Sequence, residues 1–557
     1  TCEQAENPLG IETQQPRFSW QIRSSERNFV QSSYEVLVAD SPEMLEDNKG
    51  NVWSSGKTDS QESILIPFSG TTLKAGTTYY WKVRIWDQEG NVSAWSPVNE
   101  FCMGLLTEKD WNKASWISLE KDKKDEIITT GVHGLGEVDR RFRPDQKIGM
   151  YALPQFRKEF DVKKPLKRAI AYVSGLGHFD MFLNGEKVGN HFLDPGWTKY
   201  DRCALYVPFD ITRQLHSGKN AVGVMLGNGF FNVPRERYFK LIASYGAPRL
   251  LMNIRLEYMD GSIENIVTDK SWKATESPIT YSSIYGGEDY DANREQPGWT
   301  KPGFNDQNWK EALNTGWNTR LLAQTSAPLT VRDSIPTVRL FKNQKGKWVY
   351  DLGQNFSGVI YLSMQSNGKQ QVKFYPAELL NPDSTVNQSA SGAPFWFAYT
   401  TKGNEKVCWQ PQFTYYGFRY VEIEGAVPAG QDNPESLPVI LDLKGLHTCN
   451  SAPEVGTFHC SKPLFNQTYE LIDWAIRSNM ASVLTDCPHR EKLGWLEQAH
   501  LMQYSVQYRY NLARMYEKMM NDMRSTQAKN GMVPTIAPEL VEFEGGFKDT
   551  PEWGSSF

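Results

Sequence analysis

The spacing of apolar residues changes near residue 450, and this change constrains the fold more than any other feature. Up to that point apolar residues alternate, as in TTYYWKVRIWDQEGNVSAWS (77–96), which predicts a half-buried strand and hairpin turning at DQEGN. Beyond it, apolar residues recur at helical spacing from Leu512 to Met523, after a cap at Asn511 and before KNGMVP (529–534). Ser461 as N-cap with Pro463 begins another helix, whose predicted apolar face is Leu464, Leu471, Ile472, Ala475 and Ile476. The chain is therefore predicted to be a series of β modules followed by an all-helical domain.

The length predicts several domains, because 557 residues exceed what one hydrophobic core supports. Residues 1–105 resemble a fibronectin type III β-sandwich, with Trp20 and Trp95 as core aromatics. Residues 106–330 begin with a linker or insertion and then resemble a jelly-roll of the galactose-binding type, with tight turns in LNGEKVG and YMDGSIE. Residues 331–447 are predicted to form a further β-sandwich, and residues 448–557 the helical domain.

Composition excludes several classes of function. The net charge is −5 with acids and bases interspersed, which does not suit a protein that binds nucleic acid or an anionic membrane. No apolar run approaches the roughly 20 residues of a membrane span, and we expect any leader to have been removed before Thr1. The seven cysteines show neither C-x-x-C nor metal-ligand spacing, so neither a zinc site nor a redox site is predicted.

Two loops in the β region contain many charged residues. The segment TTGVHGLGEVDRRFRPDQKIG (129–149) shows neither the alternating spacing of a strand nor the helical spacing of apolar residues. It is predicted to be a loop or insertion and is assigned no function. The segment 285–299 groups three carboxylates among aromatic residues, Glu288, Asp289 and Asp291. A turn with self-capping carboxylates is favoured there over a contact with sugar.

The segment TDCPHREKLGWLEQ (485–498) lies in a loop between predicted helices and concentrates reactive side chains. Cys487 and His489 could form a nucleophile and base, but the adjacent acids favour a carboxylate mechanism, and Cys487 is interpreted as a small packing residue. Taken alone, Glu491 could also be a solvated carboxylate paired with Arg490 or Lys492.

This segment closely resembles the D-C-P-x-R-(D/E)-x-L-G-W signature of the glycoside hydrolase family 78 α-L-rhamnosidases. Other stretches resemble family counterparts in the same order, from residue 7 to residue 555: NPLGIETQQPRFSW, LDPGWTKYD, YGGEDYDANRE, DLGQNFSGV, FTYYGFRYVEIEG and PEWGS. The resemblance implies an exo-acting, inverting bacterial glycosidase in which β-sandwich modules precede an (α/α)6 barrel. It also implies rhamnose-containing glycosides or polysaccharides as substrates.

The resemblance assigns roles to residues of the helical domain. Glu491 matches the general acid, and burial together with the charge of Asp486 is expected to raise its pKa. Asp486 is expected to accept hydrogen bonds from rhamnose hydroxyls, with an Asx turn as the structural alternative. Arg490 is expected to bridge Asp486 and the sugar, and Trp495 to face the sugar ring unless it is a core residue. Trp553 matches a family aromatic residue near the substrate, and Glu552 beside it is a further candidate contact.

The sequence departs from the family pattern after the acid. The family reads G-W-x-G-D, whereas here Glu497 replaces the glycine and Gln498 the aspartate. Either Glu497 supplies the missing carboxylate or the substrate specificity differs. In the family the general base lies beyond the position of Phe557, so we expect this sequence to be truncated or a fragment and the chain as written to be inactive.

Two other functions stay open at this stage. One is a non-catalytic carbohydrate-binding protein, and the other is an (α/α)6 glycosidase or lyase that acts on a different sugar. No cofactor is expected, nothing indicates a structural calcium, and the sequence does not indicate an oligomeric state. A secreted or periplasmic location is expected, because large plant glycans do not cross a cell membrane.

Overall fold

The N-terminal β unit is built on two long antiparallel strands, Gln31–Ala39 and Thr78–Asp87. In the computed structural model, which describes residues 1–133, 146–391, 394–543, 547–548 and 550–555, alternate residues of Thr78–Asp87 are buried, as the alternating pattern predicts. The other strands of this unit are Leu9–Ile11, Arg17–Phe18, Trp53–Ser54, Thr58–Asp59, Ile66–Pro67 and Asn99–Met103, and its short helix is Pro42–Glu46. Its core surrounds Phe18 and Trp81, whose ring centroids are 4.8 Å apart.

The second β unit consists of two sheets that share one core. The first sheet has the order Glu186–Lys187, His178–Leu183, Gly218–Gly227, Pro154–Val162, Lys273–Glu276 and Lys310–Glu311. The second has the order Leu313–Asn314, Ile117–Ser118, Arg249–Tyr258, Leu166–Leu176, Cys203–Asp210 and Arg320–Ala323, with Ile263–Val267 beside Arg249–Tyr258. A smaller sheet joins Ile128–His133, Leu241–Ser244 and Asn232–Val233.

A large sheet follows, and it includes strands from the second unit. Its order is His191–Phe192, Leu329–Pro336, Val439–Asn450, Trp348–Gly368, Tyr416–Glu424, Gln371–Ala377, Trp396–Thr400, Gly287–Asp291 and Ile279–Ser283. Arg339–Lys342, Gly403–Trp409 and Val427–Pro428 pair beside this path, and Leu379–Leu380 pairs with Val386–Asn387. Short 3-10 segments occur at Glu108–Trp111, Lys124–Glu126, Thr212–Gln214, Ala292–Arg294 and Ser389–Ser391. Strands from both sides of residue 330 therefore join in one sheet. Strands Ile279–Ser283 and Gly287–Asp291 lie at the edge of this sheet, next to the third β unit.

The helices after residue 450 confirm the predicted change from strands to helices. They are Pro463–Asn479, Leu496–Gln507, Ala513–Thr526 and Pro551–Gly554. Met515, Met519 and Met523 are buried as predicted, whereas the N-cap of Pro463–Asn479 is Lys462, not Ser461.

The predicted apolar face of Pro463–Asn479 is largely exposed. Leu464, Leu471 and Ile472 are accessible to solvent. The helix packs on strands Trp348–Gly368 and Val439–Asn450, and Asp473 accepts hydrogen bonds from Arg509 and Tyr510. Within the described ranges, no helix combines the length and the apolar character needed to cross a membrane.

Candidate active site

The loop Thr485–Trp495 is held in shape by its own side chains. Asp486 and Leu493 form two reciprocal contacts: the Asp486 N–H donates to the Leu493 carbonyl, and the Leu493 N–H donates to Asp486 Oδ1, both at 3.2 Å. Inside this closed loop, the Glu491 N–H donates to Cys487 Sγ at 3.3 Å. Asp486 therefore closes the loop through a contact seven residues along the chain, which differs from the local Asx turn that the sequence offered as its structural role.

Two glycines allow the loop to pack closely on its neighbours. A Cβ at Gly494 would lie 2.4 Å from the Ala537 carbonyl oxygen, and a Cβ at Gly417 would lie 2.5 Å from Pro488 Cγ. The Ala537 N–H donates to the Gly494 carbonyl at 3.0 Å. Side chains at these positions would separate the loop from segment 535–537 and from the third β unit.

The Glu491 carboxylate is contacted by three donors. Lys240 Nζ donates to Glu491 Oε1 at 2.8 Å, and Trp495 Nε1 donates to Oε2 at 2.9 Å. Arg490 Nε lies 3.3 Å from Oε1. Lys240 belongs to the second β unit, so the predicted acid lies where this unit meets the helical domain.

The pKa of Glu491 is lowered, and the expectation that it would be raised is wrong for this structure. Burial acts to raise it, but the hydrogen bond and charge of Lys240, the Trp495 hydrogen bond and the Arg490 charge together outweigh burial. Asp486 has the raised pKa instead, because it is buried and lies near the Glu491 charge. Lys240, a cation from the β region that the sequence did not indicate, thus lowers the pKa of the carboxyl that was expected to have a raised one.

The backbone of the loop is also fixed by the β region. Tyr285 donates its hydroxyl to the Glu491 carbonyl at 2.6 Å, and Tyr238 donates to the Arg490 carbonyl at 3.4 Å. The two tyrosine rings stack with centroids 4.7 Å apart. Residues that are distant in sequence thus hold the peptide units on both sides of the acid.

Lys492 points away from Glu491, so its alternative role as the partner of the acid is wrong. Its side chain is buried and donates to the carbonyls of Ile284 and Tyr415, the latter at 2.5 Å. Burial lowers the pKa of this ammonium far below its usual value. Lys492 therefore anchors the loop to the β region.

Cys487 and His489 do not provide the features of a nucleophile pair. Burial raises the pKa of the Cys487 thiol to about 11, with the Asp486 charge adding to the effect. His489 Nε2 lies 3.7 Å from Glu378 Oε2, and its ring faces Tyr416. A thiol with so high a pKa is little ionised at neutral pH, which supports its interpretation as a packing residue.

The predicted sugar contacts are partly grouped around the acid. The Trp495 ring is half-buried against Phe543 and meets Trp553 edge-to-face at 5.6 Å. Arg490 is exposed, and its described ion pair is with Glu491 and not with Asp486, so the expected bridge to Asp486 is absent from the described contacts.

The residues at the departures from the family pattern lie on the adjoining helix. Glu497 is in the first turn of Leu496–Gln507, and Gln498 follows it. Gln498 Oε1 is buried and has no hydrogen-bond partner among the described residues. Glu552 is exposed on Pro551–Gly554.

The two charged loops of the β region have different outcomes. Asp291 accepts the Asn293 N–H and caps a 3-10 turn, as predicted, but Asp289 pairs with Arg237 and Glu288 accepts the N–H groups of Gln412 and Phe413. For these two carboxylates the self-capping prediction is wrong. Segment 129–149 is predicted to be a loop, but its first residues belong to strand Ile128–His133, which pairs with Leu241–Ser244. Residues 134–145 of this segment lie outside the described residues.

Family models match the chain in order along most of its length. They are the Rha78A-like N-terminal immunoglobulin domain (1–107), the α-L-rhamnosidase N-terminal domain (164–333), the bacterial α-L-rhamnosidase concanavalin-like domain (341–441) and the bacterial α-L-rhamnosidase 6 hairpin glycosidase domain (453–557). The fold is thus that of a multidomain protein in which β domains, the first of them immunoglobulin-like, precede a hairpin glycosidase domain.

Individual relatives agree with the family models. An α-L-rhamnosidase of Formosa agariphila is 35% identical over 96% of this chain and 56% of its own length. The structure of an α-L-rhamnosidase from Dictyoglumus thermophilum has a TM-score of 0.88 at 34% identity, covering 100% of this chain and 60% of that chain. The Streptomyces avermitilis α-L-rhamnosidase complexed with L-rhamnose has a TM-score of 0.86 at 25% identity, covering 100% of this chain and 67% of that chain.

The chain belongs to the bacterial α-L-rhamnosidase family. It spans just over half of the length of the Formosa relative, 56%.

Proposed function

We propose that the complete protein is an inverting exo-glycosidase that releases terminal α-L-rhamnosyl residues from glycosides or polysaccharides. The observation that supports this most is the position of Glu491. Its carboxylate is partly buried at the junction of the β region and the helical domain, within reach of Trp495, which meets Trp553. A carboxylic acid at this position can supply the proton that the departing glycosidic oxygen needs, and the aromatic rings beside it offer apolar faces to a sugar ring.

In the proposed reaction Glu491 donates its proton to the glycosidic oxygen as the bond from that oxygen to the anomeric carbon breaks. A water molecule attacks the opposite face of the sugar, and a second carboxylate, roughly 6.5–9.5 Å from the first, accepts its proton. We assign no residue of this chain to that base. Inversion converts an α-rhamnoside into β-L-rhamnose and a free alcohol.

Glu491 must gain a proton before it can act as the acid. In the structure its contacts with Lys240, Trp495 and Arg490 favour the carboxylate form. We propose that an entering sugar excludes water from the site and weakens the contact between Lys240 and Glu491. Both changes raise the pKa of Glu491 and so favour its protonated form. The sugar contacts in this proposal are Asp486, Arg490, Trp495, Glu497, Gln498, Glu552 and Trp553.

The activity is tested with a panel of aryl glycosides and the complete protein. We expect release from the α-L-rhamnoside and not from other aryl glycosides, with β-L-rhamnose as the first anomer in a proton NMR time course. Initial α-L-rhamnose would contradict inversion, and preference for another sugar would favour the other (α/α)6 glycosidases. An unsaturated, ultraviolet-absorbing product would identify a lyase, and binding without turnover would identify a carbohydrate-binding protein.

The role of Glu491 is tested with Glu491→Gln. We expect turnover to fall by about 10²–10⁴-fold on substrates with poor leaving groups, and much less on aryl substrates whose leaving group needs no proton. The matched control is Glu470→Gln, which neutralises an exposed carboxylate on helix Pro463–Asn479, outside the proposed sugar contacts. Unchanged turnover in Glu491→Gln on poor leaving groups would remove this residue from the mechanism.

A further inference from the structure

We infer that Lys240, a residue of the second β unit, is a positioning residue that orients the Glu491 carboxylate before the sugar binds and sets the upper pH limit of kcat/KM. This inference deepens the proposed function and rests on Glu491 being the proton donor. It assigns to the β region a part in catalysis that the helical domain cannot supply alone.

The segment that carries Lys240 is fixed on both sides of the contact. The guanidinium of Arg237 lies between the rings of Tyr281 and Trp396, at 4.0 and 3.9 Å from their centroids, and it pairs with Asp289. Tyr238 stacks on Tyr285, and strand Leu241–Ser244 begins directly after Lys240. Because its neighbours are held by rings and by a sheet, Lys240 can present its ammonium group at a defined position.

The contact between Lys240 and Glu491 is better shielded than an ordinary surface ion pair. The two side chains are 28% and 17% exposed, and Nζ lies 2.8 Å from Oε1. An exposed ion pair contributes little because water screens it and both side chains are free to move. Here Trp495 Nε1 holds the other carboxylate oxygen at 2.9 Å, so the two donors together fix the plane of the carboxylate.

The other charged and titratable groups around Glu491 come from its own loop and from the β region. They are Arg490, Asp486, Cys487 and His489 on the loop, and Tyr238 and Tyr285 on the β region. Among these groups the cation of Arg490 is exposed and 3.3 Å away, and the Asp486 charge opposes it. Lys240 is therefore the main source of positive charge at the carboxylate.

Removing the charge of Lys240 has an effect of known sign. A general acid works in its protonated form, so activity declines as pH rises through the pKa of the acid. An adjacent cation lowers that pKa, and its removal raises it. We therefore expect the basic limb of the pH profile to move upward by about one unit in Lys240→Met, since an opposite charge at this distance shifts a pKa by about 1–3 units before solvent screening.

The experiment compares pH profiles of kcat/KM on a substrate with a poor leaving group, using the complete protein. The basic limb should move upward in Lys240→Met and stay in place in Lys240→Arg, which keeps the charge. Lys347→Met is the matched control, because Lys347 pairs with Glu424 at 2.7 Å away from this site. An unchanged limb in Lys240→Met, or an equal shift in Lys240→Arg and Lys240→Met, would overturn the inference.

A second measurement does not depend on turnover or on the stability of one variant. Trp495 contacts the Glu491 carboxylate, so the fluorescence difference between the protein and its Trp495→Phe variant should titrate with Glu491. Its midpoint should rise in Lys240→Met and in Lys240→Gln, and a midpoint that stays in place in both would refute the inference. If the protein hydrolyses no rhamnoside but the midpoint rises, the proposed function fails while the contact between Lys240 and Glu491 is upheld.

Discussion

The substitution Gly494→Ala tests how closely the loop of the predicted acid packs on its neighbours. The new Cβ would lie 2.4 Å from the Ala537 carbonyl oxygen and 3.2 Å from Val483 Cγ2. The carbonyl belongs to the backbone and cannot rotate away, so the loop and segment 535–537 must separate. Overpacking of this kind costs about 1–3 kcal/mol. The separation also moves Trp495, the next residue, whose indole holds Glu491 at 2.9 Å.

Two measurements follow from this geometry. The thermal midpoint of the helical domain should fall by about 2–8 °C for each kcal/mol lost, the range for domains of 60 to 250 residues, and kcat on poor leaving groups should fall with it. Gly316→Ala is the control, because nothing lies within 4 Å of its new Cβ and its φ lies outside the left-handed region that side chains disfavour. The packing argument is wrong if Gly494→Ala melts and turns over like Gly316→Ala.

Two further predictions concern other parts of the molecule. Burial raises the pKa of Glu288 to about 8, so the protonated side chain contributes stability that is fully present below pH 4 and is lost as pH rises through about 8. Between pH 5 and pH 8.5 the thermal midpoint should therefore decline more steeply in the unaltered protein than in Glu288→Gln. Equal slopes in the two proteins would contradict this. Trp553→Ala should raise KM for an aryl rhamnoside about tenfold with a smaller change in kcat, because Trp553 meets Trp495 and is a predicted sugar contact. An unchanged KM would remove Trp553 from the substrate site.

The β-to-helix order and the location of the site loop could be predicted because both depend on local sequence. The alternation in Thr78–Asp87 and the spacing of Met515, Met519 and Met523 each reflect one buried face, and the structure buries these faces. The segment 485–498 could be recognised because its residues are contiguous. The start of helix Pro463–Asn479 was less predictable, since its N-cap Lys462 makes no side-chain capping contact that a sequence could reveal.

The partners of the loop could not be predicted, because they come from residues about 75 to 250 positions away. Lys240 and Tyr285 lie in separate turns of the β region, and nothing near them in sequence indicates that they meet the helical domain. Lys492 illustrates the same limit. Its neighbours in sequence are charged, so pairing with Glu491 was the natural local expectation, but a left-handed backbone at Lys492, with φ of +52°, turns its side chain into the β region.

The electrostatics of Glu491 show why a motif predicts the identity of an acid better than its pKa. The motif supplies burial and the neighbouring charge of Asp486, and both raise a carboxyl pKa. The fold adds Lys240 at 2.8 Å, and the pKa is lowered instead. An acid held as a carboxylate at rest can be reprotonated when substrate displaces water and cation, so proton donation would be coupled to correct binding. The distance from Lys240 to Glu491 in a complex with bound sugar therefore tests the coupling directly: an unchanged 2.8 Å contact would mean that the acid is protonated by some other route.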